Sequence, residues 1–190
     1  MKHVYYCLAI GMLFMLVRNG QGQPTPNQEF PISIHHLAEI AQIDSGDYTL
    51  EELLEKENSL AFNPLKNTIT DLGFTDKTYW LRFSLENDSD EEKTFYLETR
   101  RPITDVVHLY QISQGAVVSD QLSGDLIKFE DRPFQHRKLI FPITIAPNST
   151  SKFYIKYQSD GEVVSVPLLL NDTSSLVTSS LFNQLIFGFF

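Results

Sequence analysis

Residues 78–87 read TYWLRFSLEN, and their alternation is the clearest structural signal in the chain. Large apolar side chains occupy every second position, namely Tyr79, Leu81, Phe83 and Leu85. The positions between them carry the less apolar set Trp80, Arg82, Ser84 and Glu86. A period of two is typical of a β-strand with one buried face. We therefore predict a strand here, with the single tryptophan of the chain beside an arginine on the less apolar face.

Further alternating runs follow this strand, separated by turn-forming residues. They cover residues 94–100, 105–113, 116–122, 136–145, 151–159 and 163–170. Strands at about ten-residue spacing with turn signals between them indicate a sandwich or barrel. The long loop at residues 129–135 favours a mainly β, jelly-roll-like antiparallel β-sandwich over a simple meander, with residues 73–172 as the sandwich domain. We interpret residues 88–92 as a hairpin turn, and residues 136–145 and 151–159 as a pair joined by residues 146–149.

The segment before the sandwich predicts a linker and a first short strand in residues 23–47, then a short helix and a connecting loop in residues 48–72. Thr49 and Glu52 have the spacing of a capping box, in which each side chain bonds a free backbone N–H of the first turn. Leu50, Leu53 and Leu54 give this helix an apolar face. We expect the helix to form a lid on the edge of the sandwich.

Two adjacent histidines, His35 and His36, precede Glu39. Their spacing is not that of a known zinc motif, so the sequence predicts no metal site. We expect both histidines to lie in a loop or in contact with solvent.

Residues 1–22 combine a basic start, an apolar run over residues 5–17 and a small polar end, which together predict a secretory signal peptide. An uncleaved anchor is the alternative. Cys7, the only cysteine, lies in this segment, so the exported domain would have neither a disulfide nor a thiol nucleophile. Residues 181–190 become steadily more apolar, and we interpret residues 175–190 as the truncated start of a first transmembrane helix. A short amphipathic or buried helix is the alternative there.

Composition and motifs argue against several functions. The net charge is −9, whereas nucleic acids attract clustered Lys and Arg. The chain contains no Gly-x-Ser-x-Gly elbow, no phosphate-binding glycine loop and no His-Glu-x-x-His helix. We therefore predict no enzyme activity, no catalytic residue and no cofactor. A hydrolase with a pair of carboxylates in a cleft remains the third alternative.

Candidate ligand-binding residues lie on the less apolar strand faces. Trp80 and Arg82 share one face, and Tyr96 lies on the following strand. Arg132 lies in the long loop and His136 directly follows it, so both could approach this surface. An aromatic ring beside fixed polar groups suits a sugar, because its C–H face stacks while its hydroxyls need partners. The alternative is structural: Trp80 fills a core and Arg82 covers an apolar neighbour.

The order of several short motifs resembles a known family. The motifs are YWLRF at 79–83, FYLE at 95–98, RPF at 132–134, FPI at 141–143 and VPL at 166–168. Their set resembles the extracellular domain, second type, of bacterial seven-transmembrane receptors with diverse intracellular signalling modules. The resemblance implies a jelly-roll-like fold similar to carbohydrate-binding domains. It also implies an outward-facing sensor followed by seven membrane helices and an output module, which the 190 residues do not include.

We therefore expect an exported sensory domain on the periplasmic or extracellular face, attached to the membrane through its C-terminal segment in the full-length protein. The expected ligand is a small molecule such as a carbohydrate. The alternative is a secreted or surface-attached structural module that works through protein contacts without a small ligand.

Overall fold

The computed structural model describes residues 29–44, 46–65, 70–99 and 104–179. Within these ranges the chain forms one α-helix, α1 at Leu50–Lys56, a further helical segment at residues 173–179, and twelve β-strands. The strands are β1 Ile32–Ser33, β2 Glu39–Ile43, β3 Asn63–Pro64, β4 Thr70–Thr75, β5 Thr78–Asn87, β6 Lys93–Thr99, β7 Val106–Ser113, β8 Ala116–Ser123, β9 Leu139–Ile145, β10 Ser149–Gln158, β11 Glu162–Val166 and β12 Leu169–Asn171. The predicted signal peptide, and residues 180–190 of the predicted membrane helix, lie outside the described residues.

The strands form two larger antiparallel sheets and one small sheet. The six-stranded sheet has the order β3-β2-β5-β10-β7-β8, and the four-stranded sheet has the order β1-β12-β6-β9. Strands β11 and β4 pair separately. The mainly β, antiparallel prediction is thus confirmed. Strands β1 and β2, which precede residue 73, belong to the two larger sheets.

The main core lies between the two larger sheets. Leu81, Phe83 and Leu85 of β5 join Leu97 of β6 and Phe141 of β9 in one buried cluster. The Phe83 and Phe153 rings stack with centroids 5.0 Å apart. The alternation predicted for residues 78–87 is therefore confirmed, because its apolar set faces this core. Burial of such side chains is the main stabilising contribution to the fold. The residues that the structure describes include no cysteine, so no disulfide adds to it there.

The predicted hairpins at residues 88–92 and 146–149 are wrong. Strand β5 lies in the six-stranded sheet and β6 in the four-stranded sheet, so residues 88–92 cross between sheets. Residues 146–148 also cross, from β9 to β10. Alternation shows which face of a strand is buried, but both sheets bury the same kind of face. Asn87, at the end of β5, connects the two crossing segments, since its buried amide donates to the carbonyls of Ile145 (3.0 Å) and Ala146 (3.1 Å).

The single last strand predicted for residues 163–170 is also wrong. Its first part, β11, pairs with β4, while β12 pairs with β6 and β1. Pro167 stands between them and has no N–H to donate to a ladder.

Helix α1 begins as its capping box predicts. The hydroxyl of Thr49 accepts from the N–H of Glu52, and the Glu52 carboxylate accepts from the N–H of Thr49 at 2.9 Å. Its predicted position on the sandwich edge is wrong, because Leu50 and Leu53 pack with Trp80 on the outer face of the six-stranded sheet. Leu54, expected on the apolar face, is 38% exposed.

His35 is a structural histidine, and its predicted loop or solvent position is wrong. Its side chain is buried, with Nδ1 2.7 Å from Ser33 Oγ. Its Nε2 accepts from the N–H of Leu168 at 3.1 Å and lies 3.0 Å from the carbonyl of Val166. The ring thus links the start of the chain to the β11–β12 connection, and accepting at Nε2 requires an unprotonated nitrogen.

We expect the stability of the protein to fall as pH drops below about 6.5, the ordinary pKa of histidine. Burial lowers the pKa of His35, against a smaller opposing effect of the Val166 carbonyl, and His36 lowers it further. The unfolded chain therefore takes up a proton at a pH where folded His35 is still neutral. Above that window both states are neutral, and the full contribution is present.

Urea denaturation at several pH values between 7.5 and 5.5, about the range over which a histidine titrates, tests this. We expect the stability difference between wild type and His35→Gln to shrink as pH falls. His36→Gln, at an exposed neighbour, should keep most of the wild-type slope, because burial lowers the pKa of His35 more than His36 does. A stability difference that stays constant with pH would contradict the assignment.

No helix within the described residues is both long and apolar enough to cross a membrane.

Candidate functional site

Strand register places the polar residues of the candidate site in one row on the outer face of the six-stranded sheet. Glu39 of β2 lies opposite Arg82 of β5, and Arg82 lies opposite Tyr154 of β10. Lys152, two residues before Tyr154, shares that face because side chains alternate along a strand. An acid, a guanidinium, a phenol and an ammonium are therefore gathered by the pairing of three strands.

Arg82 is held from two sides. Its Nε and Nη2 both lie 2.7 Å from Glu39 Oε2, and its Nη1 donates to Glu57 Oε1 at 2.7 Å. The guanidinium also lies over the Phe62 ring, 4.1 Å from the centroid. The Arg82 guanidinium is therefore fixed in position by two carboxylates at its edges and an aromatic ring beneath it.

Glu57 is the centre of this network. Besides Arg82, its Oε1 accepts from Lys152 Nζ at 2.8 Å and from the Tyr154 hydroxyl at 2.9 Å. The Glu57 side chain is 16% exposed. Glu57 directly follows α1 and opens a short 3-10 helix, Glu57–Ser59. The packing of α1 on Trp80 therefore brings this carboxylate over the sheet.

The contacts shift the pKa values of the network in a consistent way. Burial alone would raise the pKa of Glu57, but hydrogen bonds from Lys152, Arg82 and Tyr154 outweigh it and lower the pKa. Burial would lower the pKa of Arg82, but Glu57 and Glu39 raise it. Burial and the Glu57 carboxylate both raise the pKa of Tyr154. At neutral pH Glu57 is therefore a carboxylate, Arg82 a cation and Tyr154 a neutral phenol.

An open cleft of about 420 Å³ borders the network. Its lining residues are Leu37, Glu39, Arg82, Phe83, Ser84 and Lys152. Lys152 is 41% exposed, so a cation is accessible from solvent. The cleft offers the carboxylate of Glu39, cationic donors and a hydroxyl, the groups that orient a small polar molecule.

A larger depression, about 600 Å³, lies beside the C-terminal helical segment. It is lined by Glu29, Phe30, Pro31, Asp172, Ser174, Ser175, Thr178 and Ser179. Asp172 is engaged locally, because its carboxylate accepts from the N–H of Ser175 at 2.8 Å and from the Ser174 hydroxyl at 2.8 Å. These contacts cap the helical segment, whereas the Arg82 cleft exposes a cation to solvent. The smaller cleft is therefore the better candidate.

Trp80 is adjacent to the cleft but inaccessible. Its side chain has no solvent exposure and lies in the cluster under α1 with Leu53 and Tyr154. Its ring stacks on that of Tyr110 at 6.0 Å, and Lys156 Nζ lies 5.7 Å from the ring centroid. In this arrangement Trp80 supports the helix and the sheet face, and it has no free face for a sugar.

The other three predicted site residues do not line this cleft. Tyr96 projects from the outer face of the four-stranded sheet, and its ring is 5.5 Å from that of Phe134. Arg132 donates from Nε to the carbonyl of Ile127 at 3.2 Å. His136, whose pKa burial lowers, accepts at Nδ1 from the N–H of Lys138. The structure therefore places Tyr96 on the other sheet from Trp80 and Arg82, and it brings neither Arg132 nor His136 into the lining of the cleft.

Four members of the network were missed in the sequence, namely Glu39, Glu57, Lys152 and Tyr154. A signal existed for two of them, since Lys152 and Tyr154 alternate with core residues along a strand just as Arg82 does. Glu57 gave no such signal, because its position depends on where α1 packs.

Comparisons with known proteins cover the part of the chain that contains the cleft. The family model described as 7TMR-DISM extracellular 2 matches residues 37–172, a span that includes the cleft and α1. No curated protein matches the chain. Among solved structures, the chain is similar to the GH31 alpha-xylosidase from Xanthomonas citri, with 14% identity over 71% of this chain and a TM-score of 0.32. The chain spans 13% of that protein's chain.

Proposed function

This chain belongs to the 7TMR-DISM extracellular 2 family, the extracellular domains of membrane receptors, and we propose that it is the outward-facing sensory domain of a seven-transmembrane signalling receptor. The family implies a periplasmic or extracellular position for the matched residues 37–172. We further propose that the two sheets form a jelly-roll-like sandwich and that residues 175–190 begin the first membrane helix.

The cleft beside Arg82 is the proposed ligand site. The observation that carries it is an accessible polar cleft whose Arg82 and Lys152 are both bonded to Glu57 of the segment after α1. A molecule that binds there changes the contacts of a segment outside the sheet. A ligand shifts a conformational equilibrium by its differential affinity for the two states, and this linkage gives the cleft a means to do so. A small polar molecule such as a carbohydrate fits the mixed donors and acceptors.

Trp80 provides the readout for a test, because it is the only tryptophan and lies beneath α1. We expect a saturable change in the fluorescence of the full chain with at least one compound from a panel of neutral sugars, acidic sugars and small carboxylates. Arg82→Gln should abolish the change, while Arg132→Gln, outside the lining of the cleft, should retain it. Loss in Arg132→Gln alone would move the site to the loop at residues 129–135.

A second candidate function is favoured by the complete burial of Trp80. In this alternative the chain is a structural or protein-interaction module without a small ligand. The absence of any saturable change across the panel, with all variants folded by circular dichroism, would favour it over the sensor.

A further inference from the structure

The Glu57 carboxylate occupies a ready-made anion site. One oxygen, Oε1, accepts from three donors of three different residues, Arg82, Lys152 and Tyr154, at 2.7 to 2.9 Å. Three donors on one carboxylate oxygen, in a side chain that is largely removed from solvent, bind a negative charge strongly. The arrangement is that of a receptor for a carboxylate, filled by a group of the same chain.

We propose that Glu57 stands in for the carboxylate of the ligand, so that the cleft selects a small carboxylate such as an acidic sugar, which displaces Glu57 from Arg82 and Lys152. This inference rests on the proposed ligand site and names the chemical class of its ligand.

The donors stay in place when Glu57 leaves. Arg82 keeps both contacts to Glu39 and its position over Phe62. Tyr154 is held in the sheet directly opposite Arg82. Glu57 alone comes from outside the sheet, from the turn after α1. Arg82 and Tyr154 are thus fixed in advance, and the occupant belongs to a segment that is not a strand of the sheet, so an exchange requires little rearrangement of these two donors.

Charge explains why the ligand should be an anion. Glu39 and Glu57 balance Arg82 and Lys152, so removal of Glu57 leaves one positive charge without a partner. A ligand carboxylate restores the balance, while a neutral sugar leaves the half-buried cations unpaired, which is unfavourable. The same site therefore favours glucuronate over glucose, two sugars that differ by one carboxylate.

Competition with Glu57 also limits the affinity of the wild-type protein. The apparent affinity of a ligand is reduced by the fraction of molecules in which its site is free. Shortening the competing side chain frees the site permanently. We therefore expect glucuronate to bind Glu57→Ala about tenfold or more tightly than wild type, as for a site that is free in about a tenth of molecules or fewer.

The test measures dissociation constants for sodium glucuronate and glucose by calorimetry on the full chain, with sodium chloride matching the ionic strength. The variants are Glu57→Ala, Glu57→Gln and the double variant Glu57→Ala with Lys152→Gln. We expect tighter glucuronate binding in Glu57→Ala, loss of that gain in the double variant, and no gain for glucose. If Glu57→Ala does not fold, Glu57→Gln gives the same comparison, since it removes the competing charge with little change in shape.

Equal glucuronate affinity in wild type and both Glu57 variants would overturn the inference, and so would no binding to any of them. An equal gain for glucose would also overturn it, because the site would then not select a carboxylate. In each of these cases the proposed sensory cleft still stands if another panel compound binds in a manner that depends on Arg82. Loss of every Arg82-dependent signal would remove both proposals.

Discussion

Replacing Trp80 with alanine is expected to lower the free energy of unfolding by about 3–5 kcal/mol, the usual range for truncating a large buried aromatic side chain. Trp80 is fully buried and touches both the sheet and α1, through the cluster that contains Leu50 and Leu53. Its removal leaves a cavity beneath α1. We therefore expect the packing of α1 on the sheet to weaken and the whole protein to become less stable.

Urea denaturation followed by circular dichroism checks this result, because the variant lacks tryptophan. Trp80→Phe is the matched variant and should lose less, since it keeps a ring in the cluster. Leu54→Ala is the control on the same helix, where the 38% exposed side chain predicts a loss below about 1 kcal/mol. A Trp80→Ala variant with wild-type stability and no ligand binding would contradict the structural role. Trp80 would then be a ligand-binding residue.

The alternation of Trp80 with its neighbours predicted its strand and its face, but not its burial. A period of two distinguishes the two faces of a strand. In a sandwich without a covering helix, the outer face would be exposed to solvent. Here the outer face at Trp80 is covered by α1, whose own apolar face was visible in the sequence. Two correct local predictions therefore gave an incorrect position for the helix, because which surface an amphipathic helix covers is decided by tertiary packing.

Tertiary packing also decides which strands pair in one sheet, and the sequence pattern did not predict this. The strands at residues 78–87 and 94–100 were recognised by their apolar side chains, yet they entered different sheets. Asn87 ends β5 with a buried amide that bonds the carbonyls of Ile145 and Ala146, partners 58 and 59 residues away. A contact over that distance leaves no periodic pattern in the sequence.

One part of the candidate site could be predicted from the sequence, and another part depends on tertiary packing. Arg82 was identified from its place on a strand beside an aromatic residue, and it lies in the cleft. Glu57 is 25 residues before Arg82 and 95 before Lys152, so their meeting depends on the complete fold. Tyr96 was grouped with Arg82 because neighbouring strands were taken to share a sheet, but the crossing after Asn87 places Tyr96 on the other sheet. Arg132 and His136 were added because their loop was expected to approach the same surface, and neither lines the cleft.

Replacing Gly124 with alanine is expected to destabilise the protein by about 3 kcal/mol or more, the upper part of the range for single substitutions. A Cβ atom on Gly124 would lie 2.2 Å from the carbonyl oxygen of Asp105 and 2.8 Å from its carbonyl carbon. Both are backbone atoms and cannot turn aside as a side chain can. The φ angle of +136° adds strain for any residue with a Cβ.

The close approach at Gly124 is part of the fold and not a loose turn. Just after it, the N–H of Asp125 donates to the carbonyl of Thr104 at 2.9 Å, and the N–H of Leu126 donates to that of Asp105 at 3.2 Å. These bonds tie the end of β8 to the segment that enters β7. Moving the chain away to make room for a methyl group would break both of them, so the clash cannot be relieved without a further loss.

Gly115→Ala is the control that separates the two effects. Gly115 also has a positive φ, +79°, but no atom lies within 4 Å of the position of its Cβ. We expect Gly115→Ala to show the conformational strain alone, about 1–2 kcal/mol. Urea denaturation of both variants measures the difference, which reports the contact with Asp105. Equal losses for the two variants would show that the chain after β8 can shift, and that the close approach at Gly124 does not constrain the fold.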